Sequence, residues 1–356
     1  MKQLKRVAAI GGAVSIALCW PLAVGSLGQN AITDGIANFH SGFVTSDLVH
    51  YDRGYLSSTV ETLVTVTDQA LVDQLTAEGY PNAFTLITAV NHGLFGISTQ
   101  STLKEYSHIP LKLNADLDVT GKSTFALNLA KWTYHSDSAT DPVTVEIEPA
   151  VISGTMSQDQ QADYVVSIPS VRVTSDRGEQ LQVSGITGHG NGSKPQGFWL
   201  GDGMLNIAAL EMKNAADESL LTLENLAYSM TSSVDQLKSR YTSTSKITLQ
   251  HALSNDGEIS NAVLNIVLGD VDNTSLETLA AVAQSAQAPD AGDKVASSID
   301  ELFARGFYFN IDPISFEMKQ APLSLSLKLA IPEGTDNVTQ NVFKLNSALT
   351  GSIDLS

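Results

Sequence analysis

Cysteine is almost missing. Cys19 is the only one in 356 residues, which excludes a disulfide framework and any cysteine-built zinc or iron–sulfur site. Positive charge is scarce too: 20 Lys and Arg stand against 38 Asp and Glu, for a net charge of −18. Lys2, Lys5 and Arg6 fall at the very start of the chain, so the rest is more acidic still. Such a body cannot neutralise phosphates, and no nucleic-acid partner is expected. Aromatic residues make up 6% and charged residues 16% of the chain, so much of its polarity falls to Ser, Thr, Asn and Gln. What is plentiful is apolar and β-forming: 43% of the chain is hydrophobic, and the Ser, Thr and Val content suits pleated strands better than helix interiors.

The N-terminus sets the expected location. After the basic start, Val7 to Leu27 carries no charge over 21 residues, enough helix for a bilayer core of roughly 30 Å. Three readings fit: a signal anchor, a signal peptide cleaved near Ala23-Val24-Gly25, or a lipoprotein signal at Cys19. Leu18 stands where the last of these needs a small residue, and the anchor is the reading adopted. In each case the basic end stays cytoplasmic and the acidic body is exported, with the lone thiol kept out of an oxidising compartment. The expected division is an anchor over 1–28, a stalk or short helix over 29–46 with Ile32, Ile36, Phe39 and Phe43 at helical spacing, and a β-rich periplasmic domain over 47–356.

Beyond the stalk the apolar period becomes two. Val60, Thr62, Val64 and Val66 share one face, as do Ile109, Leu111, Leu113, Ala115, Leu117 and Val119. Thr120-Gly121 then turns into Phe125, Leu127 and Leu129, which predicts a hairpin. The signature recurs at Val143 to Ile147, Val171 and Val173, Leu181 and Val183, Leu221 and Leu223, Ile247 and Leu249, and Leu323 to Leu329. Helical spacing is rare: one short helix around Ala70 to Leu75, and a pair near 275–305 broken at Pro289-Asp290-Ala291-Gly292. The fold expected is mainly β: an N-terminal transmembrane helix followed by a large, elongated, curved antiparallel sheet with a few short helices.

Little of the sequence resembles chemistry. An apolar strand followed by Asp270, Asp272 and Thr274 matches the opening of haloacid-dehalogenase-type phosphotransferases, but the alternating helices that build such a site are missing. Asp270 is therefore expected in a polar turn or cap at a helix N-terminus. Gly188-His189-Gly190-Asn191-Gly192 lacks the Lys-Ser/Thr of a phosphate loop and reads as a flexible hairpin loop. His40, His50, His92, His108, His135, His189 and His251 include no pair at metal-ligand helical spacing, and no Gly-x-Ser-x-Gly elbow exists. No catalytic residue, cofactor or metal is expected.

One stretch carries a resemblance. His50-Tyr51-Asp52-Arg53-Gly54-Tyr55-Leu56-Ser57-Ser58, between an anchor and an alternating strand, resembles the YdgA family of Gram-negative envelope proteins, whose members carry a Tyr-x-Arg-Gly-aromatic-x-Ser-Ser element. Asn91-His92-Gly93-Leu94 resembles a second element of that family, with Leu94 where members often have Pro. The resemblance implies an inner-membrane-anchored, single-pass periplasmic protein and marks Tyr51, Arg53, Gly54, Tyr55, Ser57, Ser58, His92 and Gly93 as family-motif positions. There is a more distant likeness to AsmA-like envelope proteins, whose curved sheets carry lipid in a groove. Within the motif, Tyr51 and Tyr55 are expected as edge or core aromatics, Gly54 as a bulge or positive-φ bend, and Arg53 as the partner of an acid or a lipid headgroup. The expected function is non-enzymatic, the binding or carrying of lipid or another hydrophobic ligand on the sheet; the alternative is a periplasmic assembly factor acting on envelope proteins through sheet edges.

Overall fold

The computed structural model describes residues 24–37, 44–77, 79–136, 142–159, 161–193, 198–284, 291–319, 321–336, 338–341 and 349–355. Two compact units divide the chain. The first holds Met1–Trp132, Ser136–Ser138 and Pro149–Asp159; the second holds Thr133–His135, Ala139–Glu148 and Gln160–Ser356. Most of the proposed anchor, up to residue 23, lies outside the described residues. Among those described, no helix is long and apolar enough to cross a membrane; the transmembrane helix expected from the sequence falls mainly on the residues that are not described. The anchor's last five residues, 24–28, open a helix that belongs to the first unit.

That helix, α1 (24–37), is followed by β1 (Val44–Arg53), β2 (Ser57–Val66), α2 (Gln69–Ala77), β3 (Ala83–His92), β4 (Gly96–Leu103), β5 (Leu111–Asp118) and β6 (Ser123–Leu129). After β7 (Trp132–His135) and β8 (Val143–Ile147), β9 (Ala150–Met156) pairs with β6. The first unit's ladder runs β1-β2-β3-β4-β5-β6-β9, antiparallel throughout. Its core is Val24, Val60, Val90 and Ile97, with Ile32, Ile36, Tyr51 and Leu117 packed around it. Of the stretch expected as a stalk or short helix over 29–46, residues 29–37 are helix packed on the sheet through Ile32 and Ile36, and 44–46 already belong to β1. Ser46 Oγ donates to the Ile36 carbonyl at 2.8 Å, closing the loop from α1 into β1.

The predicted hairpin at Thr120-Gly121 is β5 and β6, in register from Leu111 opposite Leu129 to Leu117 opposite Ser123. A Thr-Gly turn is a weak signal alone, and Asp118 completes it. Its Oδ1 accepts from the Thr120 amide at 2.8 Å, the Thr120 hydroxyl at 2.5 Å and the Lys122 amide at 3.1 Å. The Thr120 hydroxyl chiefly holds this carboxyl below its ordinary pKa.

The second unit is a long meander. β8 pairs with β10 (Gln161–Ser175), and the order then follows the chain: β11 (Gln180–Ser193), β12 (Leu200–Lys213), β13 (Ser219–Asp235), β14 (Arg240–Ser254), β15 (Gly257–Asp272), β16 (Phe307–Met318), β17 (Ala321–Ile331) and β18 (Thr350–Leu355). Between β15 and β16 stand α3 (Asn273–Gln284) and α4 (Ala291–Arg305), the expected helical pair. Both helices contact β15. Gly188 to Gly192, expected as a loop, is instead the end of β11, bonded on both sides to β10 and β12.

A row of left-handed residues crosses this sheet. Gly185, Asn225 and Asn261, in alternate strands, have φ of 64°, 52° and 51°. At this row the apolar period slips by one: Leu221 and Leu223 precede Asn225, whereas Leu226, Tyr228 and Met230 follow it. Strict alternation would send the two sets to opposite faces, and a left-handed residue is where a strand absorbs such a slip.

Candidate functional site

The two family-motif elements meet in the first unit. β1 and β2 are joined by a tight turn in which the Gly54 amide donates to the Ser57 carbonyl at 2.8 Å, and β3 and β4 by one in which the Gly93 amide donates to the Gly96 carbonyl at 2.8 Å. The register puts Ser57 opposite Asn91 and Ser58 opposite Val90, so both turns lie at the same end of the strands. His92 ties them together. Its amide donates to the Leu56 carbonyl at 2.8 Å, and its Nδ1 lies 3.1 Å from the Tyr55 carbonyl. A carbonyl only accepts, so Nδ1 carries a proton, and in the neutral ring Nε2 accepts from the Ser58 hydroxyl at 2.9 Å.

A serine hydroxyl on a histidine nitrogen is the pairing that activates nucleophiles. Here both side chains are buried, with Ser58 at 5% and His92 at 8% exposure, and α1 covers the ring: a Cβ on Gly25 would stand 2.6 Å from His92 Cε1. A substrate has no approach, and the arrangement is a lock between two turns. The rest of the motif serves the same geometry. Gly54 is needed because a Cβ there would be 2.5 Å from the Ser57 carbonyl oxygen, and not for the positive φ expected of it. Tyr51 packs on the core with its hydroxyl buried and unpartnered. Tyr55 is not a core aromatic; it is 43% exposed. Arg53 and Ser57 are exposed.

The second unit holds a cavity of about 650 Å³. Gly188 of β11 and Gly203 of β12 form part of its floor, and Gly190, opposite Gly203 in the ladder, lies beside them. Aromatic rings form its walls, Tyr164 from β10, Phe198 and Trp199 leading into β12, and Tyr228 from β13; Met204, Leu205 and Met230 complete most of the lining. The glycines let the rings lie down. A Cβ on Gly190 would fall 2.6 Å from the Tyr164 ring, and one on Gly192 2.8 Å from the Trp199 ring. Gly203 differs, since a Cβ there would meet nothing closer than the Tyr164 hydroxyl at 3.7 Å. Among the described residues, no charged side chain lines this cavity. A second cavity of about 460 Å³ lies toward the other end of β13, between Leu221, Leu253, Ile259 and Met318, with Asp256, Glu258 and Lys319 also in its lining.

Of these cavity residues, only Leu221, as part of a strand, and the glycines from Gly188 to Gly192, for the wrong element, were singled out in the sequence. The signal was there: Gly-x-Gly-x-Gly is itself a period of two, and it empties one face of a strand.

The phosphotransferase-like stretch is a helix cap. Asp272, 2% exposed, accepts from the Ser275 amide at 2.9 Å and the Ser275 hydroxyl at 2.8 Å at the start of α3. Asp270 lies within β15, two residues before its end, at φ 58°, where Arg240 Nη1 donates to its carbonyl at 2.8 Å. The capping role expected of Asp270 thus falls two residues later. Among the described residues, no three His, Cys, Asp or Glu side chains converge as a metal site. His251 faces Glu258 at 3.0 Å, and His135 bonds Thr144 at 2.9 Å.

Comparison with known proteins finds one family model over residues 1–356, described as bacterial protein of unknown function (DUF945). No curated protein and no solved structure matches.

Proposed function

The chain belongs to the DUF945 family of bacterial proteins of unknown function, and from that premise we propose that it is a non-enzymatic envelope protein of YdgA type that binds or carries a lipid on the apolar face of its second unit. One observation carries the reading: the aromatic-walled cavity of about 650 Å³ is large enough for a small hydrophobic ligand and, among the described residues, lined by no charge. From Met230 at this cavity to Leu221 at the second, β13 covers about 30 Å at 3.3 Å per residue. That is twice the roughly 15 Å one leaflet gives an acyl chain.

The location proposed with it is the inner membrane, with the body in the periplasm. Burial of Val24 at 4% exposure leaves 7–23 as the spanning segment, about 17 residues and at the short end of the usual range. Alkaline carbonate extraction tests this, since full-length protein recovered as soluble would end the anchor reading.

The carrier reading is tested with the full chain carrying Trp20→Phe and Trp132→Phe, so that Trp199 reports alone. A fatty acid brominated at its chain end should quench Trp199. Gly203→Val, which adds a strand-favouring side chain where a Cβ has room, should weaken binding about tenfold with an unchanged circular dichroism spectrum. Failure of any fatty acid to quench, with no lipid in organic extracts of the purified protein, would sink the carrier reading.

A further inference from the structure

Two-residue hairpin tips normally carry Asn, Asp or Gly. Here the adjacent tips are Tyr55-Leu56 and Leu94-Phe95, exposed at 43%, 60%, 63% and 74%. They are held firmly: His92 bonds the first tip through its amide and its ring, and the Val119 amide donates to the Phe95 carbonyl at 3.0 Å. Val119 is itself 55% exposed and Leu27 66%, both beside Gly96 and Ile97. Six large apolar side chains therefore stand together at one end of the first unit. An exposed apolar patch of this kind marks a contact surface.

The chain itself says what that surface meets. α1 starts at this end, with Gly25 against His92 and Gly28 against Ile97. The residues leading into it, Val7 to Ala23, carry no charge. The apolar run joins the body where the hairpin tips are, and Tyr and Phe side chains are suited to the boundary between headgroups and acyl chains. We propose that the Tyr55-Leu56 and Leu94-Phe95 hairpin tips, with Leu27 and Val119, insert into the outer leaflet of the membrane that holds the N-terminal segment. The His92–Ser58 lock then has a use, since it keeps two apolar tips level against the membrane. This inference rests on the anchor reading above and concerns a surface separate from the lipid cavity.

The test places a reporter at a tip. The full chain with Trp20→Phe, Trp132→Phe, Trp199→Phe and Phe95→Trp is reconstituted in phosphatidylethanolamine and phosphatidylglycerol vesicles whose acyl chains carry a nitroxide near the headgroup. The control reporter is Leu71→Trp, on exposed α2 beyond the far end of β2, about 30 Å along the strand. Quenching at position 95 should exceed that at 71 about threefold, and the indole at position 95 should become shielded from iodide. Leu56→Trp repeats the measurement from the neighbouring tip. Equal, weak quenching at both positions, in protein that stays with the vesicles through alkaline carbonate, would overturn this inference and leave the anchor standing; loss of the protein from the vesicles would overturn both. Iodide shielding that rises with protein density, without nitroxide quenching, would assign the patch to a second copy of the chain and overturn the membrane contact.

Discussion

In the first unit Val60 and Val90 have 0% exposure beneath α1. In the second, Leu205, Tyr228 and Ile247 are direct neighbours across β12, β13 and β14, yet remain 41%, 37% and 38% exposed. The strands of both units alternate in the same way. What separates them is cover, since the helix over the first unit's sheet turns its apolar face into a core. The buried apolar residues of the second unit, Tyr241, Val271, Ile331 and Val338, include three at the strand ends adjoining α3 and α4. There Arg240 also binds the carbonyls of Asp270, Arg305 and Gly306 at 2.8, 2.7 and 3.1 Å. The second unit is thus fastened at one end, while its long apolar face stays partly wet along the strands.

The largest expected effect breaks this comparison if it is wrong. Val60→Asp buries an unpaired carboxylate and should cost about 3–5 kcal/mol, enough to unfold the first unit. Ile247→Asp keeps its charge in contact with water and should cost no more than about 1 kcal/mol. Denaturant unfolding, with Trp132 reporting the first unit and Trp199 the second, measures both. Equal losses would mean that the second face is covered in solution, and the contrast would disappear.

A smaller effect sharpens the contrast within the second unit. Asp272 caps α3 and lies 3.6 Å from Arg305 Nε, so Asp272→Ala should cost about 2 kcal/mol. Asp270→Asn should change stability little, because Asn tolerates the left-handed backbone already seen at Asn225 and Asn261. A thermal-melt series would show this. Equal losses at the two positions would remove the cap from the account of how α3 is held.

How much of this was legible in the sequence follows from the kinds of signal used. Period-two runs found β2, β5, β6, β8, β10, β11, β13, β14 and β17, each through a stretch that keeps its alternation. The helical pair was legible from its spacing and its Pro-Asp-Ala-Gly break. β1 and β12 were not, because Val44-Thr45-Ser46-Asp47 and Leu200-Gly201-Asp202-Gly203 alternate poorly and glycine reads as a turn. The same bias hid the cavity, since Gly188, Gly190 and Gly192 punctuate a loop in sequence, but in a strand Gly190 and Gly192 clear space for Tyr164 and Trp199. Tyr51, Ser58 and His92 were legible as a motif through family resemblance. That Nδ1 and Nε2 of His92 bind two segments more than thirty residues upstream depends on tertiary pairing that no local pattern contains.

The smallest expected effect concerns the far side of the second unit, where β16 and β17 change register between Ile311 and Ile314. Asp312 bridges this irregularity: Oδ1 accepts from the Ser326 hydroxyl at 2.7 Å, and Oδ2 from Lys328 Nζ at 2.9 Å. The serine hydrogen bond first, and the lysine next, hold the Asp312 carboxyl below its ordinary pKa. Because the folded-state value is the lower one, the bridge adds stability above the ordinary carboxylate value and loses it as the pH falls through the depressed value. Both side chains are substantially exposed, so water and salt keep the effect small. Thermal midpoints of the wild type and Asp312→Asn should therefore differ slightly at neutral pH and converge as the solution is acidified past the carboxylate range. The subtraction removes acid effects common to both proteins. A gap that persists unchanged into acid would show that the carboxylate charge is not what joins β16 to β17, and would leave the backbone ladder alone to hold the two strands together at that irregularity.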